Sequence, residues 1–76
     1  MTNTAAKQDT LMDLLLDAPE EQVETVQKAI QQVAVGQWKA AARTMSLAAD
    51  WYDQGHAWAD RAERVSAILR AKAGHS

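Results

Sequence analysis

The chain offers few groups that could do chemistry. His56 lies between Asp53 and Asp60, which together supply one imidazole and two carboxylates, the donor types of a zinc or other divalent-metal site. The spacing straddles a glycine, Gly55, and brings no second histidine near. His56 is therefore expected to start a helix in solvent, and no metal site and no cofactor are expected. Asp50, Asp53 and Asp60 could serve as an acid–base set, but no partner or pocket is marked for them, so a solvated role is expected. Ser46 and Ser66 have no base or oxyanion loop in their sequence context, and no glycine-rich phosphate loop exists. With no cysteine, thiolate catalysis, disulfides and zinc–thiolate sites are excluded. The expectation is a protein that is not an enzyme and has no catalytic residues.

What remains is binding. Three tryptophans and one tyrosine, with no phenylalanine, all fall between Trp38 and Trp58. Trp38 and Trp58 belong to apolar stripes and are expected in the core. Trp51 shares a different face with Leu47, and tryptophan is enriched at binding hot spots. Up to Val35 there are two basic and six acidic residues, and from Gly36 onward six basic and four acidic. Arg61, Arg64, Arg70 and Lys72 make the last helix locally basic and could track phosphates.

These side chains need elements to hold them. Seventy-six residues make one domain at most, with a modest core. Sixteen alanines, three glycines and one proline favour helix, and no alternating strand pattern is present. The expected fold is all-α: a small antiparallel helical bundle of three longer helices plus a short N-terminal helix, spanning residues 10–73. Residues 1–9 and 74–76 are expected to be flexible tails. Thr10 caps the first helix, on which Leu11, Leu14 and Leu15 share one face and Met12 and Leu16 an adjacent stripe. Asp17 and Glu20 have capping-box spacing around Pro19, predicting a second helix with Val23, Val26, Ile30 and Val33 as its stripe and Gly36 as its left-handed cap. The third helix is expected over Gln37 to Asp53. Trp38, Ala41, Ala42, Met45, Ala48, Ala49 and Tyr52 lie on one side and Leu47 and Trp51 on another, and a helix with two apolar faces is expected to touch two neighbours. The fourth is expected over His56 to Ala73, with Trp58, Ala62, Val65 and Leu69 inward and Ile68 beside them. The first residues are polar and the cluster Leu11 to Leu16 is too short for a signal core or a membrane span, which makes the cytoplasm the default.

The run Gly36-x-Trp38-x-x-Ala41-x-x-x-Met45-x-x-Ala48 resembles the second helix of a tetratricopeptide-type hairpin, where a glycine turn precedes an aromatic and small residues sit at the helix crossing. Lys28 and Gln32 depart from that pattern, since apolar anchors belong at their positions, and no second copy appears 34 residues on. Asp60-Arg61-Ala62-Glu63-Arg64 followed by Leu69 resembles the third helix of the microtubule-interacting-and-trafficking domain. That resemblance implies a bundle that binds short helical peptides in grooves between its helices. Both are likenesses of fold and license little about function.

These observations predict a small protein-interaction module, such as an adaptor, chaperone-like factor or inhibitor. It would form a homodimer or dock on a larger protein through Leu11, Leu14, Leu15, Leu16, Leu47 and Trp51. The alternative is a DNA-binding regulator that uses Arg61, Arg64, Arg70 and Lys72.

Overall fold

A computed structural model describes residues 10–75; the expected N-terminal tail, residues 1–9, and Ser76 lie outside the described residues. Four helices and no strand are found among them: α1 (Leu11–Leu16), α2 (Val23–Ala34), α3 (Trp38–Asp50) and α4 (Ala57–His75). None is long and apolar enough to cross a membrane. The all-α antiparallel bundle of three longer helices and one short one is the observed architecture.

The sequence punctuation sets the helix ends. Thr10 Oγ1 accepts the Asp13 backbone N–H at 3.1 Å and donates to the Asp13 carboxylate at 3.1 Å, which caps α1. Gly36 has φ +82°, a left-handed value that suits a residue without a Cβ. Its N–H donates to Val33 O at 3.0 Å and that of Gln37 to Gln32 O at 2.8 Å, so the orphan carbonyls of α2 are taken up in a Schellman turn. The chain then reverses into α3.

Three expected boundaries are corrected. The chain from Pro19 enters α2 through a 3₁₀ turn at Glu20–Gln22, and Asp17 instead closes α1 as its C-cap, so the Asp17–Glu20 capping box does not form. α3 ends at Asp50, not Asp53: the Trp51 and Tyr52 N–H groups bond three residues back, to Ala48 O and Ala49 O, which tightens the last turn before Gly55 turns the chain at φ +90°. α4 runs on to His75, so Gly74 and His75 are helical. A glycine in a terminal turn costs at most about 1 kcal/mol of helix propensity, which the continuing helix absorbs.

α3 is the middle element. Ala41, Ala42, Met45, Ala48 and Ala49 are buried along one side of it, and both α2 and α4 pack there. Methyl side chains let the backbones come close. Ser66 Oγ on α4 reaches the Ala42 carbonyl at 2.7 Å, a contact that a larger residue at position 42 would obstruct. From α2 come Val26 and Ala29, both fully buried, with Ile30 and Val33 half-buried beside them. From α4 come Trp58, Ala59, Ala62, Val65 and Leu69. Thr44 of α3 donates to the Gln32 side chain on α2 at 2.7 Å, which accounts for a glutamine where a tetratricopeptide-type hairpin would carry an apolar anchor.

The short α1 cannot stand alone. It packs on α2 and α4, with Leu14 fully buried and Leu11 and Leu15 half-buried against the core. Two polar contacts fix its C-terminal end to the start of α4. The Trp58 indole N–H donates to the Leu14 carbonyl at 3.0 Å in a buried setting, and Arg61 pairs with the Asp17 carboxylate at 2.8 Å. Trp58→Phe keeps most of the ring but orphans that carbonyl. We expect a loss of about 1–3 kcal/mol in chemical denaturation, with backbone amides of α1 exchanging faster than those of α3. An unchanged midpoint would show that the indole bond does not hold α1.

Candidate functional site

The residues that could do chemistry are engaged structurally or open to water. His56 precedes α4, and its Nδ1 accepts the Ala59 N–H at 3.3 Å, so the ring serves as a cap for that helix. It also stacks on Tyr52, with centroids 4.2 Å apart, and is half-buried rather than free in solvent as expected. Among the described residues no three His, Asp or Glu side chains converge as metal ligands. Asp50, Asp53 and Asp60 do line one depression, with Glu63, beside the α3–α4 turn, and all four are exposed. Ser66 is buried and held to the Ala42 carbonyl. No nucleophile with an adjacent base is formed by these groups.

The basic residues divide. Arg61 lies half-buried on Asp17, and the Lys72 ammonium sits 5.6 Å from the Trp38 ring centroid, a cation–π contact across the ends of α3 and α4. Arg64 and Arg70 are exposed. Arg70 shares a shallow groove with Lys39 and Arg43 of α3. The last two were missed in the sequence. Their four-residue spacing was legible, but their nearness to Arg70 depends on the antiparallel register of α3 and α4.

The six apolar candidates divide as well. Leu14 is corrected: it is fully buried and belongs to the core. Leu11 and Leu15 are half-buried against that core. Leu16, Leu47 and Trp51 are exposed, at 78%, 61% and 69%, far above what a closed core would leave. α3 does touch two neighbours, α2 and α4, as its two apolar faces lead one to expect. The alanine side is broad enough to receive both α2 and α4, and α1 packs elsewhere. Among the described residues nothing covers Leu47 and Trp51.

These two residues rim an open groove between α2 and α3. Thr25 and Lys28 line its α2 wall, Thr44, Leu47 and Ala48 its α3 wall, and Trp51 one end. Its volume is about 340 Å³. It is open along one side, which suits an inserted row of side chains better than an enclosed small molecule. Lys28, out of place in a tetratricopeptide-type hairpin, belongs to this wall.

The end of the groove at Trp51 is held by its neighbour. Tyr52 points inward, stacks on His56 and meets Trp58 edge-on at 5.9 Å. Its hydroxyl donates to the Glu21 carboxylate at 2.7 Å, tying the turn after α3 to the turn before α2. With Tyr52 fixed inward, Trp51 is turned about 100° away, toward water. The hydrogen bond from Tyr52 is the main cause holding the Glu21 carboxyl below its usual range. Burial first, and then the bond to Glu21, push the Tyr52 phenol up.

A depressed carboxyl contributes stability that is present above its unfolded value and is lost as pH falls through its folded one. For Glu21 that window opens downward from the ordinary 4.5. In Tyr52→Phe the Glu21 titration followed by NMR should move up toward that value, and the acid loss of stability should become shallower. An unmoved titration would remove the Tyr52–Glu21 bond from the account. No protein-family model, curated protein or solved structure matches the chain, so the two family resemblances stand on the residues quoted for them alone.

Proposed function

We propose that the protein is a small interaction module, an adaptor, chaperone-like factor or inhibitor, that docks a helical segment of another protein in the groove between α2 and α3. The observation that supports this reading is the exposure of Leu47 and Trp51, one helical turn apart, on a face that none of the other described helices covers. Large apolar side chains side by side in water are characteristic of interaction sites, and tryptophan is enriched among their anchors. Thr25, Thr44 and Lys28 supply polar rims to orient an incoming helix, the usual design of a helix-in-groove site. Leu16 and Met12 of α1 are exposed too and would add secondary contacts.

The DNA-binding alternative is supported less well. Two of its four residues, Arg61 and Lys72, are engaged with Asp17 and Trp38, and four carboxylates stand at the turn that begins the same helix. Phosphate binding would show as an affinity that falls steeply with salt.

A selection of amphipathic helical peptides displayed on phage tests the docking reading. The chain should enrich peptides with an apolar stripe, and binding should depend weakly on salt. Trp51→Ala and Leu47→Ala should each lower affinity at least about tenfold, the effect of about 1.4 kcal/mol at an interface hot spot. Both should fold with stability within about 1 kcal/mol of the parent, because exposed side chains contribute little to the core. Equal binding by the variants, or unfolding of Trp51→Ala, would place Trp51 outside the site.

A further inference from the structure

The other flank of α3 carries a different surface. Lys39, Arg43, Ser46 and Asp50 follow one another at intervals of four, three and four, and so share one face of that helix. Asp60, Glu63, Ala67 and Arg70 do the same on α4 at three, four and three. The two helices run antiparallel, as shown by the contacts of Trp38 with Lys72, Ala42 with Ser66 and Tyr52 with Trp58. Antiparallel register puts Arg70 beside Lys39 and Arg43, and Asp60 and Glu63 beside Asp50. One end of the α3–α4 face is therefore cationic and the other anionic. Arg43 and Asp50 are separated by about 10 Å along α3. All six charged side chains are exposed, and none of them forms an ion pair among the described residues. Ser46 and Ala67, both small, stand between the two ends along these rows, and Leu47, four residues after Arg43 and three before Asp50, borders the face on the side of the α2–α3 groove.

A face divided in this way selects its occupant. A uniformly charged partner, such as a nucleic acid, would be attracted by one end and repelled by the other. A complementary partner must carry the same two signs in the opposite order. The chain itself meets that condition when a second copy is turned by a two-fold axis passing near Ser46 and Ala67. We propose that a second copy of this chain docks on the α3–α4 face, with Lys39, Arg43 and Arg70 of each protomer against Asp50, Asp60 and Glu63 of the other. The small residues at the axis let the helix pairs approach, and each pair of opposed ends is desolvated together. Trp51 and the α2 wall of the groove, Thr25 and Lys28, carry none of the dimer contacts, whereas Leu47 borders them. The dimer is independent of the docking reading: either could hold without the other.

Sedimentation equilibrium on the full chain and two charge-reversed variants tests it. Lys39→Glu with Arg43→Glu makes the face mostly negative, and Asp50→Lys with Asp60→Lys makes it mostly positive. The parent should dimerise at low salt, with the dissociation constant rising at least tenfold between about 50 and about 500 mM NaCl as the Debye length shrinks below the spacing of the charge clusters. Each variant alone should be monomeric, and an equimolar mixture should form a heterodimer. Circular dichroism establishes that the variants are folded; should one fail, the salt dependence of the parent decides by itself. A parent that stays monomeric at low salt, a dimer indifferent to salt, or a mixture that does not associate would overturn the proposal. Trp51→Ala should dimerise like the parent; loss of the dimer in that variant would assign the dimer to the α2–α3 groove and overturn it as well.

Discussion

Close approach of two helices to the alanine side of α3 is the constraint on which the rest of the structure depends. A small domain has little volume with which to make a core. Five buried residues of α3, four of them alanine, spread over a wide strip and receive α2 on one flank and α4 on the other. The bulk that fills the gaps comes from the neighbours: Val26 from α2, Leu14 from α1, and Trp58, Val65 and Leu69 from α4. Met45 is the one large side chain that α3 itself contributes to the buried core. Because the alanine side receives both neighbours, no described helix covers Leu47 and Trp51, and both are exposed.

The turn regions convert that packing into defined surfaces. Tyr52, His56 and Trp58 form an aromatic group at the α3–α4 turn, and each also makes a polar contact: with Glu21, with the Ala59 N–H and with the Leu14 carbonyl. The first residue of that group sets the direction of Trp51. The last holds α1, with Arg61 and Asp17 adding a second link between the same elements. Polar pairs at half-buried positions contribute modestly to stability, but they fix register, which decides which side chains line a groove. The same register places Arg70 beside Arg43 and Glu63 beside Asp50 on the other flank.

Much of the fold was legible in the sequence. Gly36 and Gly55 mark turns because both need a positive φ, and the stripe from Trp38 to Tyr52 turned inward as its spacing requires. The site was legible in part. Leu47 and Trp51 stood off the main stripe, but whether α1 covered them depended on where a six-residue helix docks, and no local pattern encodes that. Leu14, expected as a contact residue, is buried for the same reason: α1 docks on α2 and α4, and Trp58, 44 residues on, bonds its carbonyl. The Asp17–Glu20 spacing fits a cap, yet Asp17 answers to Arg61, a long-range charge that outweighs the local preference. The two charge clusters were invisible as clusters, because each joins residues of α3 and α4 that only the antiparallel pairing brings side by side.

The measurement that tests the central claim most directly is hydrogen exchange at the three indole N–H groups, read separately by NMR in dilute solution. If the alanine side of α3 closes the core by itself, the Trp58 indole, bonded to the Leu14 carbonyl, exchanges slowly, while the Trp51 indole exchanges at close to the rate of a free side chain. A Trp51 indole protected as strongly as that of Trp58 in the monomer would mean that the chain folds over this face. The surface on which the functional reading depends would then not exist.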